Sequence, residues 1–256
     1  VLTLLGDLLS PLFRALDLPG SSALVFLSSL FLNLYSGIAV MGELALSLRE
    51  VTILAIMGLI AHNFLVEISV LGATGSTPVR MVVLRLTAAL LAGFTLSMLF
   101  SPELADREPS FGAAALSAPA SVAVGEAEPS ARQPFLFALR DWAVSSLLLV
   151  VRIAAILLAL MIGERMLQEL GIVRWLGRRL GPLMRLFGLP PETAFLWVVS
   201  NTLGLAYGSG VLRREVTEGR LPREHGDLLN HHIAISHSLL EDTLLFVALG
   251  VSAFWV

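Results

Sequence analysis

The chain carries one pattern twice. Leu5-Gly6, Pro11-Leu12, Arg14 and Leu18-Pro19 recur as Leu176-Gly177, Pro182-Leu183, Arg185 and Leu189-Pro190, and eight of the sixteen positions from Leu4 to Pro19 match Trp175 to Pro190 without a gap. Further on, Ile60-Ala61-His62-Asn63-Phe64-Leu65-Val66-Glu67 returns as Ile235-Ser236-His237-Ser238-Leu239-Leu240-Glu241-Asp242, with the offset grown from 171 to 175. The four extra residues fit a longer polar loop, Arg213 to Asp227, in place of Glu43 to Glu50. A duplication of this kind restricts the fold to two related halves. In a strongly apolar chain such halves characterise membrane transporters with a site between them.

Hydrophobic residues are 56% of the 256 and charged residues 14%, whereas a soluble domain carries about a quarter charged residues. Apolar stretches at 21–41, 51–71, 81–100, 142–162, 194–211 and 229–249 have about the 20-residue length that crosses a bilayer. The expected fold is all-α: a polytopic transmembrane helical bundle in the lipid bilayer, made of two internal repeats. The first repeat covers 1–100, a flexible extracytoplasmic linker 101–137, and the second repeat 138–256. The linker is rich in Ala, Ser, Pro and Glu and has no amphipathic period. Ahead of each repeat, 2–18 and 170–189 read as amphipathic helices. In the second, Arg174, Arg178 and Arg185 lie on one face and Trp175, Leu176, Leu180, Leu183 and Leu186 on the other, a pattern suited to the membrane interface. The positive-inside bias puts the acidic linker outside and the arginine cluster in the cytoplasm, as for a bacterial inner-membrane protein.

A net charge of −3 without a basic, aromatic-studded run implies no nucleic-acid partner. All seventeen basic residues are arginine, a feature ascribed to genome composition rather than chemistry. The lack of cysteine excludes disulfides, thiolate metal sites and cysteine nucleophiles. No cleavable signal peptide is expected. A counterpart of 142–162 is missing before Val1, and one of 81–100 after Val256. Self-association of two copies is the expected remedy, making the protein a homo-oligomer.

The stretch Ser200-Asn201-Thr202-Leu203-Gly204, followed by Tyr207-Gly208-Ser209-Gly210, places polar groups and three glycines within one bilayer thickness. Irregular backbone at membrane depth is tolerated only inside protein or beside water, so this segment either re-enters or spans with a break. Re-entry leaves three crossings between the repeats and makes them inverted, whereas a full span leaves four and makes them parallel. The first-half counterpart, with Asn33, Tyr35, Ser36 and Gly37, is less polar and leaves both options open.

On helical spacing Asn63 and Glu67 share a face with His62 adjoining, and Ser238, Asp242 and His237 repeat the arrangement. His231 and Asn230 extend it into two polar ridges: Asn230, His237, Glu241 and His231, Ser238, Asp242. Ionisable groups inside apolar spans are costly and face a bundle interior or a polar cavity. There they can hydrogen-bond a solute, ligate a cation or carry protons. The competing reading is a purely structural network pinning the repeats together. His231, His237 and Glu241 or Asp242 would offer nitrogen and oxygen donors to zinc or iron, although His-x5-His-x3-Glu is not a metallohydrolase signature. Without a nucleophile elbow or a phosphate-cradling glycine loop, the chain reads as a non-enzyme that needs no cofactor.

Asn201-Thr202-Leu203-Gly204-Leu205-Ala206-Tyr207-Gly208, together with the phrase from His231-His232 through Ser236-His237-Ser238-Leu239-Leu240-Glu241-Asp242-Thr243, resembles the nucleoside recognition, or Gate, domain family of bacterial multi-pass membrane proteins. The first half repeats it more weakly through His62, Asn63 and Glu67. Family relatives include spore-maturation membrane proteins, and similar segments occur in concentrative nucleoside transporters and ferrous iron permeases. The resemblance implies a transporter-like membrane fold. The leading expectation is a permease for a small polar solute, nucleosides among them, held by His62, Asn63, Glu67, Asn201, Asn230, His231, His237, Ser238, Glu241 and Asp242. The alternatives are a divalent metal-cation transporter and a non-transporting membrane assembly or signalling protein.

Overall fold

A computed structural model describes residues 2–44, 46–100, 135–237 and 239–256, and every regular element among them is helical. The first half runs through α1 (Leu2–Ala15), α2 (Ser22–Phe31), α3 (Leu34–Gly42), α4 (Leu48–Ala61), α5 (Phe64–Ala73) and α6 (Pro78–Leu99). The second follows as α7 (Phe135–Glu169), α8 (Ile172–Arg179), α9 (Gly181–Leu186), α10 (Ala194–Thr202), α11 (Gly204–Thr217), α12 (Arg223–Ser236) and α13 (Leu239–Ala248), with a 3-10 turn at Pro191–Thr193. Among the described residues, Leu48–Ala73, Pro78–Leu99 and Ser146–Glu169 are long and apolar enough to cross a membrane. The expected linker falls on residues outside those described up to 134, and 135–137 already belong to α7.

Local chemistry sets several helix ends. Ser47 accepts a hydrogen bond from the Glu50 amide at 3.3 Å while the Glu50 carboxylate accepts from the Ser47 amide at 2.6 Å, a reciprocal cap that starts α4. Pro78 opens α6, where its missing N–H costs nothing. Asp17 at φ 56° and Gly188 at φ 71° turn the chain after the two amphipathic lead-ins at positions 171 apart, so the repeat is kept in backbone conformation even where the residue differs. On the loop after α11, Arg220 donates to both oxygens of Glu215 at 2.7 and 2.8 Å and holds that carboxyl below its ordinary range. One contiguous apolar core draws on both halves, from Phe13, Phe26, Ile53 and Met57 to Met184, Leu212, Leu229 and Phe246.

The choice between re-entry and a full span is decided by glycine packing. A Cβ placed on Gly37 would lie 3.0 Å from Ser29 Cβ and 3.3 Å from the Val25 carbonyl oxygen. A Cβ on Gly208 would lie 2.8 Å from Ser200 Cα. Eight residues advance about 12 Å along a straight helix, so these contacts require the chain to reverse between them. Both α2–α3 and α10–α11 are therefore hairpins. Asn33 forms the first tip, its side chain accepting from the Ser36 amide at 2.9 Å; Gly204, at φ 80°, forms the second. Ser29 with Gly37 and Ser200 with Gly208 are the same pair displaced by 171 residues. With both pairs doubling back, the helices between the two hairpins that are long and apolar enough to cross a membrane are Leu48–Ala73, Pro78–Leu99 and Ser146–Glu169, the odd number that inverted repeats require.

This packing predicts that Gly208→Ala lowers the melting temperature in detergent, costing about 1–3 kcal/mol through overpacking against α10 backbone. Gly210→Ala, whose Cβ meets nothing within 4 Å, is expected to be neutral. Equal melting temperatures for the two variants would contradict the tight hairpin.

Candidate functional site

Both remaining pairs of half-helices break at the repeated histidine. His62 leaves α4 with extended backbone, φ −90° and ψ 168°, and His237 leaves α12 in the same way, φ −71° and ψ 160°. After His62 the chain turns through Asn63 in the left-handed region, φ 46° and ψ 40°. Asparagine is among the few non-glycine residues that visit that region readily. The Asn63 amide donates to the Ser29 carbonyl at 2.9 Å, seating the break against hairpin α2–α3.

Breaking a helix leaves carbonyls without partners. At the first break these are met by Arg85 of α6, whose Nε donates to Ile60 O at 2.9 Å and whose Nη2 donates to His62 O at 3.0 Å. Its Nη1 lies 2.5 Å from Glu67 Oε2, and its guanidinium sits over the Phe64 ring. Arg85 is wholly buried, the largest side chain to be so among the described residues.

Around Glu67 the two repeats meet. His62 Nε2 lies 3.2 Å from Glu67 Oε1 and 3.5 Å from Asp242 Oδ2, while His237 Nε2 lies 3.1 Å from Glu67 Oε2. The two imidazole rings are 5.0 Å apart. Each ring turns its Nδ1 toward a carbonyl one turn back, His62 toward Gly58 O at 3.0 Å and His237 toward Ile233 O at 2.8 Å. A carbonyl only accepts, so Nδ1 carries the hydrogen in both rings, and each Nε2 faces the carboxylates with a lone pair when the ring is neutral. His237 Nε2 and Asp242 Oδ2 are buried and have no aligned hydrogen-bond partner. With neutral rings and both carboxylates ionised, Glu67 and Asp242 outweigh Arg85 by one negative charge.

Above this cluster lies a cavity of about 270 Å³. Its wall takes residues from all four breaks: Asn33 and Tyr35, His62 and Asn63, Leu203 and Gly204, His237 and Asp242. Half-helices α3, α5, α11 and α13 each start at it. Their N-termini carry unpaired N–H groups and positive dipole ends. Glu67, Glu241 and Asp242 sit in the first turns of α5 and α13, where those dipoles lower the cost of buried carboxylates. Tyr35 Oη donates to Glu241 Oε1 at 3.4 Å across the cavity, from one repeat to the other.

Of the residues singled out from sequence, His62, Asn63, Glu67, His237, Glu241 and Asp242 line this cavity. Three others lie elsewhere. Asn201 donates back to the Trp197 carbonyl at 2.8 Å within its own helix. Asn230 donates to Thr74 and Ser76 hydroxyls at 2.9 and 2.8 Å, tying α12 to the α5–α6 turn. His231 bonds to Asp227 O at 2.7 Å and lines a separate apolar cleft beside Val79 and Val83. For Asn230 and His231 the break at His237 is the reason: it turns the residues before it away from the face that continuous helical spacing assigns them. Ser238 lies outside the described residues.

Arg85, Tyr35 and the hairpin tips were not foreseen as site residues. A lone arginine in the apolar stretch 81–100 was the available signal, since intramembrane charges mark functional sites by default. The position 175 residues on from Arg85 lies past Val256, so the repeat within these 256 residues does not mark it.

Comparison with known proteins returns a membrane protein. No family model and no solved structure matches the chain. It is 30% identical over 251 residues, 98% of its length and 76% of the other's, to the Bacillus subtilis (strain 168) protein named Uncharacterized membrane protein YvoD. With hairpins, broken helices and bilayer-length spans already in view, that similarity settles the class: the chain belongs to the membrane-protein family of Bacillus subtilis YvoD.

Proposed function

We propose that the protein is a multi-pass permease of the bacterial inner membrane that carries a small polar solute through the cavity between its repeats. The observation carrying this reading is the convergence of four helix breaks on one polar cavity. Broken backbone at membrane depth is expensive unless it lines a binding site or water. An open cavity between His62–Glu67 and His237–Asp242 favours this reading over a purely structural polar network, which would be packed shut.

The lining narrows the solute. Backbone N–H groups at the helix N-termini want acceptors, whereas Glu241 and Asp242 want donors, so a neutral molecule bearing both is matched best. Leu34, Val66, Val70 and Leu205 offer an apolar wall beside them. A cavity of about 270 Å³ falls just below the roughly 300–1,000 Å³ typical of drug-sized ligands. Nucleosides, with ribose hydroxyls and a flat base, combine these features, and the Gate-like phrases at 201–208 and 231–243 support that choice.

Purified protein screened against nucleosides, bases and other small polyols is expected to show a raised melting temperature with at least one. The same compound is expected to enter proteoliposomes. Absence of both stabilisation and uptake across the panel would refute the solute reading.

A further inference from the structure

We propose that His62, Glu67 and His237 form a binding site for a divalent transition-metal ion at the floor of the cavity, with Asp242 beside it. The inference goes beyond the solute reading and does not depend on it. One nitrogen from each imidazole and one oxygen of Glu67 all lie within 4.8 Å of one another, and all three residues are buried. Tetrahedral coordination with bonds of about 2.0–2.1 Å has donor–donor edges of roughly 3.3 Å. The His62 Nε2–Glu67 Oε1 separation is 3.2 Å, close to that edge, and His237 Nε2 lies 3.1 Å from the other Glu67 oxygen, Oε2.

The surroundings favour a metal over a chance cluster. Metal-binding histidines usually donate their second ring N–H to a carbonyl or carboxylate, which fixes the ring and leaves the other nitrogen's lone pair for the ion. Both rings do so here, toward Gly58 O and Ile233 O. The unpartnered His237 Nε2 and Asp242 Oδ2 are buried donors in want of a cation. Arg85 pairs with Glu67 Oε2 and orients the carboxylate, leaving Oε1 for the ion. Asp242 Oδ2, 3.5 Å from His62 Nε2, is placed to supply a fourth ligand. The charge balance agrees, because neutral imidazoles leave the cluster with one uncompensated negative charge. Two imidazoles with carboxylates suit zinc, ferrous iron or cobalt and disfavour magnesium and calcium, which prefer all-oxygen shells. The ligands come from both repeats, so an ion bound here would join the two halves of the molecule.

The test uses the full chain in detergent, stripped of metal by chelator and supplied with no solute. Titration with Co2+ is expected to give the visible d–d bands of a low-coordinate site, displaced by one equivalent of Zn2+ per chain and not by Mg2+ or Ca2+. His62→Gln and His237→Gln are each expected to weaken Zn2+ binding at least tenfold, while His231→Gln, outside the cluster, leaves it unchanged. If the cluster variants do not fold, Cu2+-loaded wild-type protein still reports imidazole nitrogens by electron paramagnetic resonance. Absence of stoichiometric Zn2+ and of Co2+ bands in wild-type protein overturns the proposal and leaves a ring proton as the balancing charge. Undiminished binding in both cluster variants, or wild-type metal without imidazole coupling, also overturns it. Solute uptake without metal binding would defeat this site while leaving the permease intact.

Discussion

Arg85→Ala is expected not to accumulate as a folded, monodisperse protein. The substitution removes a wholly buried guanidinium and exposes three debts at once: the Ile60 and His62 carbonyls lose their donors, and Glu67 loses its cation. Breaking a buried ion pair from one side costs about 3–5 kcal/mol, a large share of the roughly 5–15 kcal/mol that holds a typical protein folded. Arg85→Lys restores the charge but not the planar fork that reaches all three acceptors, so it is expected to recover only part of the loss. Adding Glu67→Gln to Arg85→Met is expected to destabilise less than the sum of the two changes, because their effects share one network. Yield, elution profile and melting temperature measure Arg85→Ala, Arg85→Lys, the two single changes and their double variant. A melting temperature for Arg85→Ala equal to wild type would show that the first break is held by something else.

Asp242→Asn is expected to separate function from fold. Asparagine keeps the shape of the side chain but loses the negative charge that faces His62 and the cavity. A hydrogen bond to a charged partner is worth about 1.5–3 kcal/mol, so solute affinity and uptake are expected to fall roughly 10- to 100-fold. The melting temperature is expected to hold, since the carboxylate's Oδ2 has no aligned partner to lose. Uptake at the wild-type rate would place this carboxylate outside the solute path.

The sequence was most legible where its chemistry was repeated. Apolar length marked the three helices long enough to cross a membrane but also 21–41, 194–211 and 229–249, which divide into shorter helices, and the matched His-acid phrases led to His62, Glu67, His237 and Asp242, which meet across the repeats. Continuous helical periodicity then misplaced their neighbours. It put Asn230 and His231 on the same ridges as Glu241 and Asp242, but extended backbone at His237 interrupts the count and sends Asn230 to Thr74 and Ser76. Histidine gives no local warning of such a break, whereas Asn63 in the left-handed region and Gly204 do. The hairpins were foreshadowed only as one of two options, because a glycine that packs on a facing helix and one that loosens its own helix look alike in sequence. Arg85 was hidden for a different reason: its role exists only in the contact between α6 and the broken α4–α5, elements that local spacing cannot bring together.

The inverted hairpins have a consequence for motion. In an inverted arrangement the two halves would face opposite sides of the bilayer, so any difference in shape between the halves would also be a difference between the two sides. The halves are already unequal: the longer loop expected at 213–227 is mostly helix, and the extra length goes into α11, with 14 residues where α3 has 9. If the first half adopted the shape of the second and the second that of the first, the molecule would recover nearly the same set of contacts while the mouth of the cavity moved to the other face. In the permease proposed above, two states of similar energy and opposite access would follow from one duplicated chain.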